Sequence, residues 1–201
     1  MKARYLHRIA ALALLGGMAA AAQAHPGHGA YTLTQGLEHP LLGLDHLLAM
    51  VAVGVWSVSA LAASKAWQGP ATFMLALLAG ASLGMMGLNP PHLELLVALS
   101  VVLFGAMLWL SRQKSAHPAA GLGLIAAAAA LHGLAHGAEA PASGFAGYAI
   151  GFLVTTAMLH VSGVGIGLAI RRWLAERSGL ALGGLGAAVS MAGLYLAGQL
   201  V

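Results

Sequence analysis

The chain has 201 residues, 60% of them hydrophobic and only 7% charged, which excludes an ordinary soluble domain with its quarter-charged make-up and points to an all-α membrane protein. There is no cysteine, so disulfides and thiolate metal sites are excluded and any bound ion must be held by nitrogen and oxygen. The formal charge of +4 falls to six basic against five acidic groups once Lys2, Arg4 and Arg8 of the N-terminal leader are set aside, a near balance that argues against nucleic acid as a partner.

The first 24 residues carry those three cations, an apolar run from Ile9 to Ala21, and Ala22-Gln23-Ala24, which has the small-x-small form of a signal-peptidase site. Residues 1–24 are therefore expected to be a cleaved signal peptide and 25–201 a single transmembrane domain. Cleavage would leave His25-Pro26-Gly27-His28 at an extracytoplasmic N-terminus, where two imidazoles and a free amine could capture metal. Six apolar stretches follow, at about 39–63, 71–88, 92–111, 119–137, 144–170 and 179–200. Each approaches the ~20 residues that cross a bilayer, so a six-helix bundle is predicted. Lys65, Arg112, Lys114, Arg171, Arg172 and Arg177 fall in the first, third and fifth connections and none in the second or fourth. Basic residues are retained on the cytoplasmic side, which sets both termini outside a bacterial inner membrane.

The first stretch opens on Glu38-His39-Pro40-Leu41-Leu42-Gly43-Leu44-Asp45-His46. On one continuous helix Glu38 and Asp45, and likewise His39 and His46, stand seven apart and align along the axis, giving a polar stripe with Pro40 in the first turn. By topology His92 and Glu94 open the third helix at the same outer end, and His132, His136 and Glu139 close the fourth there. His132 and His136 share a helix face at the spacing by which one helix offers two imidazoles to one metal. His160 lies deeper, roughly 24 Å along the fifth helix, and reads as an inner station on a metal's path. His117 sits in a basic connection and is assigned no role. Ionisable groups at membrane depth are costly and mark functional sites. Imidazole with carboxylate and no sulfur suits nickel, cobalt, zinc or iron(II) without choosing among them. Glycines at four-residue spacing, Gly80/Gly84, Gly147/Gly151, Gly163/Gly167 and Gly179/Gly183, predict close helix packing, with a hinge at Gly163–Gly167 as the alternative.

The block from His39 to Met50 resembles the signature of the HupE/UreJ family, and the signal peptide, six helices and His132-Gly133-Leu134-Ala135-His136-Gly137-Ala138-Glu139 are similar to it as well. That resemblance implies a nickel or cobalt permease without an ATPase of its own, linked to hydrogenase or urease maturation, with His39, Asp45 and His46 associated with the metal. No G-x-x-x-x-G-K-[ST] loop occurs, so no route to ATP is visible. No prosthetic group is expected, and the partners are a divalent cation and the lipid bilayer. A homo-oligomer stays open. Two other classes compete: an intramembrane hydrolase, using zinc or a serine such as Ser162, and a metal-binding accessory protein for metalloenzyme assembly.

Overall fold

In a computed structural model that describes residues 32–111 and 117–201, the regular elements are all helical. They are α1 (Leu33–Leu42), α2 (Leu44–Ala60), α3 (Gln68–Met85), α4 (Leu93–Leu110), α5 (Pro118–Ala138), α6 (Phe145–Trp173) and α7 (Ser178–Gly198), with short 3₁₀ turns at Ala63–Lys65 and Ala175–Arg177. The signal segment, His25, His28, Arg112 and Lys114 lie outside the described residues.

The first apolar stretch is two helices and not one, which corrects the continuous stripe. Helix α1 begins earlier than predicted, at a capping box in which Gln35 N–H donates to Thr32 Oγ1 and Thr32 N–H donates to Gln35 Oε1. Pro40 therefore falls near the end of α1 rather than in a first turn. Without its N–H it weakens the last turn, and the chain leaves the helix at Gly43 (φ −80°, ψ 108°) to restart as α2 at an angle of 79°. A side chain at position 43 would crowd the site, since its Cβ would lie 3.0 Å from Asp45 Oδ1 and 3.1 Å from His46 Nδ1. The bend leaves Glu38 exposed on α1, while His39 turns inward and Asp45 and His46 occupy the first turn of α2.

Helix α2 is the centre of the bundle. Nearly every residue from Ala49 to Val58 is buried, as befits a helix apolar on all sides. It packs most closely on α6, then α4 and α3, while α3 pairs with α5, α4 with α7 and α1 with α6. Two crossings rest on glycine. At α3–α5 a Cβ on Gly80 would strike the Ala130 carbonyl and one on Gly133 the Leu77 carbonyl; at α2–α6 a Cβ on Gly54 would strike the His160 carbonyl and one on Gly163 that of Val51. Such backbone contact replaces the hydrophobic drive that lipid cannot supply, so Gly163 and Gly167 serve packing against α2. Gly179 meets nothing within 4 Å and departs from that pattern.

Helices α4, α5, α6 and the segment Ala175–Gly198 are each long and apolar enough to cross a membrane, and the bent α1–α2 pair makes a fifth if the two together form one span. Six crossings are compatible with this, α3 being an 18-residue helix whose first turn is diluted by Gln68, Gly69 and Pro70. The bundle's outer surface is apolar, with Leu75, Met158, Val161, Leu180, Met191 and Leu194 all exposed, the inverse of a soluble protein and suited to lipid. At one end Arg171 Nη1 donates to the Val58 carbonyl at 3.2 Å, placing a cation at the negative C-terminal end of α2. The histidines gather towards the other end.

Candidate metal centre

Four imidazoles meet where the start of α2, the end of α5 and the α1 bend converge. Ring centroids lie 4.2 Å apart for His46 and His136, 4.7 Å for His46 and His132, 5.0 Å for His39 and His136, and 6.3 Å for His39 and His46. His132 is fully buried and His46 is 6% exposed. Phe152 and Tyr148 of α6 close one side, the Phe152 ring centroid standing 4.5 Å from that of His136 and 5.8 Å from that of His39. An apolar cleft of about 70 Å³ between α3, α5 and α6, lined by Leu77, Ala81, Met85, Tyr148 and Phe152, reaches His136.

Hydrogen bonds behind two of these rings fix where their protons sit. His46 Nδ1–H donates to Asp45 Oδ1 at 2.9 Å, and the same oxygen accepts the His46 backbone N–H at 2.8 Å. The carboxylate also lies in the first turn of α2, where the helix dipole favours negative charge. On the other ring, Ser100 Oγ of α4 donates to the Val97 carbonyl at 2.7 Å and thus accepts His132 Nε2–H at 2.8 Å. The protons so placed leave His46 Nε2 and His132 Nδ1 as the inward-facing nitrogens, 3.3 Å apart. Two nitrogen ligands at ~2.0–2.1 Å from one tetrahedral ion stand at about that separation. The backing of each ring by a carboxylate or a hydroxyl is the usual outer-shell arrangement of a ligating histidine.

His136 Nε2 is in direct contact with His46 Nε2. Among the described residues no three His, Asp or Glu side chains are spaced as ligands of one ion. His136 and His39 are only partly buried, unlike His132.

The remaining sequence candidates divide. Asp45 stands behind His46 as its hydrogen-bond partner rather than as a separate member of a stripe. Glu94 is exposed at the rim, near enough to Asp45 and Glu139 to feel both charges. Glu139 is the exposed C-cap of α5 and Glu38 is exposed on α1. His92 is exposed too, and its side chain makes no capping bond; it holds a left-handed backbone (φ 58°, ψ 33°) after Pro90-Pro91, a conformation histidine tolerates better than most residues. Helix α4 contributes Ser100 to the interior, while His92 stays at its exposed start. Ser100 is a lone polar side chain in an apolar run from Leu95 to Leu110, which is the signal that would have found it. Ser162 is exposed and bonded to the Met158 carbonyl at 2.8 Å, whereas His160 on the same helix is buried, so the two make no serine–histidine pair.

A polytopic helical membrane protein with a buried histidine cluster at one end of its bundle is the class that fold and site define. The chain belongs to the HupE/UreJ family: the family model described as HupE / UreJ protein matches residues 12–196. It is also 40% identical over 146 residues to Protein HupE of Rhizobium leguminosarum bv. viciae, covering 72% of this chain and 75% of that one. No solved structure matches it.

Proposed function

We propose that this protein is a secondary permease that admits Ni²⁺, with Co²⁺ the next choice, across the bacterial inner membrane, capturing the ion at the His46–His132 pair. The observation that carries this reading is the 3.3 Å approach of His46 Nε2 and His132 Nδ1, with the far nitrogen of each ring tied to Asp45 and Ser100. Family membership supports it, since HupE/UreJ proteins are associated with nickel and cobalt transport. His136 and His39 are the flexible ligands that complete the shell. Glu94, Glu139, Glu38 and His92 form an outer rim of charge and imidazole that draws cations inward, and His25 and His28 extend that capture to the N-terminus.

The cluster faces the outside in this reading, because Lys65 and Arg171 lie at the opposite end of α2. Entry is then driven by the membrane potential, worth roughly 2.3 kcal/mol per unit charge per 100 mV, and about twice that for a divalent ion. The ion delivered would serve hydrogenase or urease maturation. Radiometal uptake in cells lacking other nickel transporters tests it: uptake of ⁶³Ni²⁺ that cobalt competes for more strongly than zinc supports a nickel–cobalt carrier. Binding without flux would favour a metal-binding accessory protein, and consumption of a substrate with bound zinc would favour a hydrolase.

A further inference from the structure

Among the described residues two buried side-chain polar atoms have no hydrogen-bond partner, Thr156 Oγ1 and His160 Nε2, and both lie on one face of α6. Thr156 is 0% exposed and His160 1%. His160 Nδ1–H donates to the Thr156 carbonyl at 2.8 Å, so the neutral ring carries its proton there and Nε2 is left with an unused lone pair. A buried polar atom without a partner is costly, and a leucine of similar volume would not incur that cost. The orphan nitrogen is therefore unexplained by packing. It is, however, what a cation needs.

The position is as informative as the chemistry. The fully buried Phe73 of α3 touches both levels: its ring centroid is 4.9 Å from that of His160, edge to face, and 5.9 Å from that of His132. One aromatic ring thus contacts both His132 of the outer pair and His160. Gly54 lets α2 lie directly on the His160 carbonyl.

We propose that His160 Nε2, assisted by Thr156 Oγ1, is a second station for the divalent cation, one ring inward of the His46–His132 pair, and that Phe73 is the partition the ion passes between them. This rests on the carrier reading. The inner station offers one nitrogen and one hydroxyl with no carboxylate behind them, so it binds more weakly than the outer cluster. A weak inner site suits conduction, which requires that an ion be released as well as taken.

The test uses the full chain, with Co²⁺ as probe, measuring the visible absorption of bound Co²⁺ in detergent and Co²⁺ influx in vesicles. His160→Leu fills the volume and removes the orphan nitrogen, so its melting temperature should equal or exceed the parent's. Its influx should fall at least about tenfold while outer-site affinity stays within about twofold. Thr156→Val should act in the same direction, more weakly. Parent-like influx in both variants would overturn the inner station. So would a lowered melting temperature and lost Co²⁺ binding in His160→Leu, which would make the histidine a structural residue. Failure of the unaltered chain to bind or admit Co²⁺ is a different result: it would remove the carrier reading, and this inference with it, whereas the first two results leave that reading standing.

Discussion

Replacing Asp45 by Asn isolates the role of the carboxylate, because the side chain keeps its shape and can still accept a hydrogen bond. What it loses is the charge that holds the His46 proton on Nδ1, through a bond of 2.9 Å. Once the amide can also donate, the ring is free to take the other tautomer and carry its proton on Nε2, the atom 3.3 Å from His132 Nδ1. A protonated nitrogen cannot ligate. Loss of such an outer-shell partner typically costs 10–100-fold in metal affinity, or about 1.4–2.7 kcal/mol. The backbone bond from His46 N–H also passes to a neutral acceptor, and weakening a first-turn carboxylate takes about 0.3–1 kcal/mol from α2. Titration of the purified variant with Co²⁺, followed by its visible absorption, should show this loss. His46→Ala should lose binding and uptake outright while still inserting. Equal affinity of Asp45→Asn and parent, within about twofold, would refute the claim that Asp45 works by orienting His46.

Ser100→Ala removes the acceptor of the buried His132 Nε2–H; stability should fall by about 1–3 kcal/mol and Co²⁺ affinity with it, as denaturation in detergent and the same titration would report. If His46 and His132 hold one ion, the double alanine variant should cost less than the sum of the singles, and strict additivity in the titration would mean separate sites. Metal binding should weaken as pH falls, because protons compete for the ligating nitrogens; titrations at several pH values check the sign, and tighter binding at low pH would contradict it.

Much of the bundle was legible because apolar stretches near 20 residues have few alternatives in a chain so poor in charge, and the four-residue glycine spacing at Gly80/Gly84 and Gly163/Gly167 forecast close helix packing there without naming the partner helices. The site was legible in part. His132 and His136 share a face because both lie on one uninterrupted helix, and that follows from spacing alone. His39 and His46 reach the same place by a 79° turn, which spacing could not foresee: the stripe assumed a straight helix through Pro40 and Gly43. The turn is what allows His39 to meet His136 from another side. Ser100 and Phe73 were missed because neither is ionisable and each gains its meaning only from a partner on a different helix. Thr156 is the same case, its significance resting on a missing hydrogen bond. His92, read from its place after Pro90-Pro91 as opening a helix at the outer end, stands exposed at that helix start.

The most direct measurement of the central claim is ⁶³Ni²⁺ influx into vesicles containing only this protein, with and without an imposed inside-negative potential, for the parent chain and His46→Ala. A permease that captures the ion at the His46–His132 pair predicts influx that rises with the potential, needs no nucleotide, and falls to the level of protein-free vesicles in the variant. Influx in His46→Ala equal to the parent's, or no influx by the parent under any potential, would contradict it.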